Sequence, residues 1–151
     1  MPAAAQPSPA CKPVVDAMHK QWTTPNHVTI MQSGRPVPIE AITIGDTIYV
    51  KSRNTWVKSP ESAADSRVDD EAKLKNAKVY TCRSLPAASV NGVPADVFAI
   101  HTEDSGGTSD SQFWIARATG LPVKLETTVA GDKSRFSSTW DYANIHAPVV
   151  K

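Results

Sequence analysis

No histidine or cysteine in this chain stands at the spacing a metal site uses. The four histidines, His19, His27, His101 and His146, form no H-x-x-x-H pair, and Cys11 and Cys82 form no C-x-x-C pair. The histidines read instead as surface or partly buried side chains. A P-loop and a dinucleotide fingerprint are also missing. Ser105-Gly106-Gly107 lacks the G-x-S-x-G frame of a nucleophile elbow. Asp69 and Asp70 sit in a charged, solvated segment that does not suit acid–base work. With no catalytic constellation and no cofactor motif, the chain reads as a non-enzyme that needs no cofactor.

Charge of one sign is lacking too. Sixteen Lys and Arg face fifteen Asp and Glu, for a net charge of +1. No basic cluster stands out, which argues against nucleic acid as a partner. No apolar run approaches the roughly 18 residues of a membrane span. The start, Met-Pro-Ala-Ala-Ala-Gln-Pro-Ser-Pro-Ala, has no apolar region of a signal peptide. It reads as the mature form of an exported protein, with the signal peptide removed and a methionine added, located in the periplasm or secreted. A small, even cysteine count fits an oxidising compartment. Pairing Cys11 with Cys82 closes a loop of about 70 residues, worth roughly 4 kcal/mol in the chain-entropy model. Two free thiols are the alternative. Cys11 as a lipidation site is set aside, because Ser8-Pro9-Ala10 lacks the apolar stretch such processing requires.

What is present is a sheet. With 151 residues and 40% hydrophobic content, the chain can build one domain with a sizeable core. Residues Phe113 to Tyr142 read as three antiparallel strands. In the middle one, Leu121, Val123, Leu125, Thr127 and Val129 point one way, and Pro122, Lys124, Glu126 and Thr128 the other. In the last strand Phe136, Ser138, Trp140 and Tyr142 share a face. Thr119-Gly120 and Gly131-Asp132 supply the turns.

Upstream, residues 1–12 read as a disordered tail, with Pro2, Pro7 and Pro9 opposing a helix. Pro13 to Trp22 is helical, with Val15, Met18 and Trp22 on one stripe that must dock on the sheet. A meander follows: Val28 and Ile30, then Val37 to Ile44 with an irregular or edge start at Pro38, then Thr47 to Lys51, then Thr55 to Val57. Residues 59–77 read as a surface helix or flap. Ser62 or Ser66 can cap it, and its apolar stripe is only Val68, Ala72 and Leu74. Strands resume at Val79 to Cys82 and at Asp96 to Glu103, around an Asn91-Gly92 turn. Residues 104–110 read as a polar loop. The sum is α+β: a curved antiparallel sheet of about seven to nine strands with one or two short helices, either open and wrapped around a helix or closed as a small barrel.

The closing stretch, Trp114-Ile115 followed by Thr119-Gly120-Leu121-Pro122-Val123-Lys124 and then Trp140-Asp141-Tyr142, resembles the LolA/LolB-like lipoprotein-carrier superfamily of the bacterial envelope. In that family a W-I-x-x-x-T-G-L-P stretch joins two strands near the end of a half-barrel. An early helix and then a meander fit the family order. The resemblance implies a single LolA-like domain over 13–151, in which an unclosed sheet wraps around helices. The space between them takes acyl chains in the carriers, and in related regulators it senses lipid or contacts proteins.

The expected function is therefore a non-enzymatic envelope protein that binds a hydrophobic or lipid-like ligand, such as an acyl chain, in the concavity. The expected lining is Val28, Ile30, Ile48, Phe98, Ile100, Phe113, Ile115, Leu121, Val123, Leu125 and Trp140. The other reading is an envelope protein-interaction or sensor module with a solid core. It would contact a protein partner through 104–110 or 59–77. A filled core and a hollow one produce the same alternation, so both readings stand on the same residues.

Overall fold

Tight turns at asparagine and glycine set much of the register. In the computed structural model, which describes residues 7–131 and 134–150, Asn91 and Gly92 both have positive φ, 49° and 82°. That is the type I′ geometry whose twist matches the flanking strands. It joins two long strands, β5 (Val79–Val90) and β6 (Val93–Asp104). Around them the described residues form β1 (Asn26–Gln32), β2 (Ile39–Ile44), β3 (Thr47–Ser52), β4 (Thr55–Lys58), β7 (Gly107–Ala116), β8 (Pro122–Val129) and β9 (Arg135–Asp141). Helix α1 spans Lys12–Trp22 and α2 spans Ala63–Asn76.

Among the described residues these nine strands make one antiparallel sheet, ordered β4-β3-β2-β1-β9-β8-β7-β6-β5. The first and last strands meet in the middle: Val28 lies opposite Trp140, and Ile30 opposite Ser138. Two meanders are thus stitched together by the closing strand. Strands β4 and β5 form the two edges, and α2 carries the chain from one edge to the other. The sheet is open, and the fold is the α+β half-barrel that the sequence implied.

Both helices pack on one face. Cys11, Val14 and Ala17, with Leu74 and Ala77, bury against Tyr80, Ile100, Phe113 and Ile115. Phe113 and Val14 are almost fully enclosed. Full burial of such side chains is worth about 1.5–3 kcal/mol each. The edges are partly covered by the chain's own ends. The Ser8 amide donates to the Tyr80 carbonyl on β5 at 2.9 Å, and Val150 makes a parallel bridge with Trp56 on β4.

Four expectations change. The tail expected to be disordered over 1–12 contains a short 3-10 turn at Pro9–Cys11, and Lys12 opens α1. Residues 1–6 lie outside the described residues, as does Asp132 of the expected Gly131-Asp132 turn. The expected loop 104–110 is a tight turn. The Asp104 carboxylate accepts from the Gly106 amide at 2.8 Å, and Gly107 already begins β7. Pro122 shares the helix-facing side with Leu125 rather than opposing it. The register shifts between Trp114 and Ile115, which pair with Lys124 and Pro122, so Val123 is the extra residue of a β-bulge and breaks the period of two. Finally, the buried stripe of α1 is Cys11, Val14 and Ala17, with Val15, Met18 and Trp22 only half-buried beside it.

Candidate functional site

A disulfide decides how α1 faces the sheet. Cys11 and Cys82 are bonded, with Cα atoms 5.0 Å apart across a sequence separation of 71. The bond pins the start of α1 to β5, and residues three and six further on, Val14 and Ala17, follow it into the core. Met18 and Trp22 are turned toward the centre of the sheet. The far end of α1 is tied down twice. Lys20 Nζ donates to the Thr119 carbonyl, and His19 Nε2 lies 2.9 Å from Glu71 Oε2 on α2.

Helix α2 is positioned by its caps. The Ser62 hydroxyl accepts from the Asp65 amide at 3.1 Å. The Asp46 carbonyl and carboxylate accept from the Ala63 and Ala64 amides, each at 2.9 Å. Ala63, Leu74 and Ala77 are buried, whereas Val68, expected on the apolar stripe, is 68% exposed. Between Ala63 and Leu74 the same inward stripe carries Arg67 and Asp70, at the helical spacings i, i+4, i+7 and i+11. Two charged side chains on the inward face explain why the apolar pattern of this helix is thin.

Between α1, α2 and the sheet lies an apolar cavity of about 260 Å³. Its walls are Met18 and Trp22 of α1, Leu74 of α2, and Phe113, Leu125 and Trp140 of the sheet, with Gln21, Asp70 and Pro122 completing the lining. Phe113 and Trp140 meet edge-on, with ring centroids 6.4 Å apart. The Asp70 carboxyl is pushed above its ordinary value by burial; Lys73 opposes this and Asp69 adds to it. Tyr142 donates its hydroxyl to the Pro122 carbonyl, and Gly120 sits at φ +72°. The Thr119–Pro122 turn thus contacts α1 at one end and lines the cavity at the other.

The residues expected to line a concavity divide into four groups. Phe113, Leu125 and Trp140 do line it. Ile100 and Ile115 are buried in the core with α1, and Phe98 is packed against that core. Val28, Ile30 and Ile48 lie half-buried on the β1–β3 part of the sheet. There Ile48 borders a small cleft of about 110 Å³ with Trp22, Thr43 and Arg67. Leu121 is buried just before β8, and Val123 is half-buried in the bulge. The core is therefore packed under α1, with an open apolar recess beside it. Met18, Trp22 and Leu74 were legible as helix-stripe residues, but nothing in the sequence marked them as cavity walls.

A larger recess, about 480 Å³, is lined largely by the sheet face away from the helices. It is polar, bordered by Arg83, His101, Asp110, Gln112 and Glu126. His101 lies 2.7 Å from Asp110 and 3.0 Å from Glu103. The bonds to Asp110 and then Glu103 raise its pKa. The histidine is satisfied by these neighbours, and charged and amide side chains alternate with Ala99 and Ile100 around the recess. Among the described residues no group of three or more His, Cys, Asp or Glu could hold a metal ion, and no helix is long and apolar enough to cross a membrane.

No protein-family model matches the chain, and no curated protein matches it by sequence. Solved structures do match. The lipoprotein LppX of Mycobacterium tuberculosis superposes with a TM-score of 0.58 at 12% identity, covering 93% of this chain and 96% of that one. LprF of Mycobacterium bovis gives 0.55 at 13% identity, with 97% of each chain covered. MucB, solved in complex with MucA(peri), gives 0.52 at 14% identity; 93% of this chain matches 57% of MucB. At such identities the likeness is one of fold. The chain shares the fold of LppX, LprF and the matched part of MucB, an open antiparallel sheet with helices on one face.

Proposed function

We propose that this protein is a non-enzymatic, exported envelope protein that holds a hydrophobic or lipid-like ligand in the cavity between its two helices and the sheet. The observation that carries the reading is the unfilled apolar space walled by Trp22, Leu74, Phe113, Leu125 and Trp140. Ligand pockets are concave and mostly apolar, with few polar groups, and range over about 300–1,000 Å³. At about 260 Å³ the space lies just below that range, so it suits part of one acyl chain rather than a whole diacyl lipid. Each methylene buried there contributes about 0.8 kcal/mol. The disulfide supports export to an oxidising compartment, the periplasm or beyond. Residues Val28, Ile30, Ile48, Phe98, Ile100, Ile115, Leu121 and Val123 then shape the sheet beneath the ligand, while the cavity walls touch it.

Native mass spectrometry after gentle purification tests this. The expected results are a ligand-shifted mass and a melting temperature that rises on adding fatty acid or phospholipid. A bare polypeptide mass with no thermal shift overturns the reading. It would favour the second one, an envelope protein-interaction or sensor module. The support for that second reading is the match to MucB, a protein solved together with a protein partner.

A further inference from the structure

Arg67 is the least explained side chain in the fold. It lies on the inward stripe of α2, and its Nε is buried with no hydrogen-bond partner among the described residues. Leaving such a donor unsatisfied is unfavourable, the more so when the group is charged. Two carboxylates are close at hand without neutralising it. Asp46 lines one cleft with Arg67 and Asp70 lines another, yet no ion pair joins either to Arg67 among the described residues. The Asp46 carboxylate accepts instead from the Ala64 amide.

The surroundings of Arg67 are open. It lines a cleft of about 250 Å³ with Trp22, Thr24 and Thr43. It also lines the smaller cleft of about 110 Å³, where Ser66 and Thr43 offer hydroxyls. That smaller cleft and the apolar cavity share Gln21, Trp22 and Asp70 as lining. The seven residues from Arg67 to Leu74 advance roughly 10 Å along the helix axis. The Arg67 and Leu74 positions are therefore about 10 Å apart along α2, with Trp22 and the Asp70 carboxyl lining the space between them.

We infer that the ligand is a single-chain amphiphile with an anionic head. Its alkyl chain lies against Leu74, Phe113, Leu125 and Trp140, and its head lies on Arg67. This rests on the cavity being a ligand site. A planar guanidinium presents donors in a fork that matches a carboxylate or a phosphate, and Arg67 lines two clefts without an ion pair among the described residues. The head chemistry common to both sources is an oxyanion, as a fatty acid's carboxylate or an alkyl phosphate monoester.

Isothermal titration of the full chain with a fatty acid, an alkyl phosphate and a fatty alcohol of equal chain length tests it, in the wild type and in Arg67→Gln and Arg67→Lys. Binding of at least one anionic amphiphile about tenfold tighter than the alcohol is expected in the wild type. Arg67→Gln should abolish the difference, and the variant's circular dichroism and melting curve show that it is folded. Arg67→Lys should keep part of it. Whichever anion shows the preference identifies the head. Equal binding of acid, phosphate and alcohol by the wild type overturns the assignment of the head to Arg67 and leaves the cavity intact. So does a preference that survives Arg67→Gln. If none of the three binds, the cavity itself is not a ligand site and both proposals fall.

Discussion

At the scale of single residues, the inward face of α2 carries a cost the fold does not need for packing. Asp70 lines an apolar cavity, and burial raises its pKa against the pull of Lys73. Its folded value stands above the ordinary 3.8, so the fold favours the neutral acid. Stability linked to this group is fully present below the unfolded pKa and is lost as pH rises through the folded one. Asp70→Asn should therefore raise stability at neutral pH, on the order of 0.5 kcal/mol. The gain should shrink as the pH falls toward 3.8. Urea denaturation of both proteins across that window measures it, and a gain that persists in acid would contradict the burial argument. A charged residue on an inward stripe is invisible to a search for apolar periodicity. That is why the 59–77 segment, with Asp70 in it, looked like a surface helix in the sequence.

At the scale of elements, the disulfide does more than cross-link. It selects which stripe of α1 faces the core, and so leaves Met18 and Trp22 to wall the cavity. Replacing Cys11 and Cys82 by serine should cost about 2–5 kcal/mol of unfolding free energy. It should also free the first turn of α1. Denaturant titration reads the first effect. Hydrogen exchange at Val14 and Ala17 reads the second, with protection falling there more than in β7. Equal loss of protection in both places would mean that the bond only constrains the unfolded chain. The stripe Val15, Met18 and Trp22 was the natural reading of the sequence, because it is the more apolar one on paper. With the covalent tie at Cys11, Val14 and Ala17 sit deepest and that stripe lies half-buried beside them.

At the scale of the whole molecule, one open sheet carries two faces of different character. One buries its helices and a cavity; the other holds polar groups such as the His101, Asp110 and Glu103 cluster. Anything that binds the native cavity and not the unfolded chain must stabilise the fold by mass action. A hydrophobic ligand at a hundred times its Kd should add about 2.7 kcal/mol to unfolding, seen as a raised denaturation midpoint. A module with a solid core would show no change. The half-barrel was legible in outline, since glycine and asparagine turns, alternation and the Thr119-Gly120-Leu121-Pro122 stretch all point to an antiparallel meander. The bulge at Val123 was not, because the alternation of Leu121, Val123 and Leu125 reads as a regular strand until its neighbour β7 imposes the register.

The amino-acid sequence by itself determined the local choices: which segments are strands, where the chain turns, which cysteines are available to pair, and that one face of the sheet is apolar. These rest on interactions within a few residues, or on counts, so they can be read in one dimension. Only the tertiary structure decided that β9 joins β1 at the centre of the sheet, that α1 buries Val14 and Ala17 beside its disulfide, and that α2 turns Arg67 and Asp70 inward. It also decided that the apolar face is filled beneath α1 and open beside it. A cavity is the difference between the volume that walls enclose and the volume that side chains fill. That difference exists only once residues far apart in the chain have been brought together.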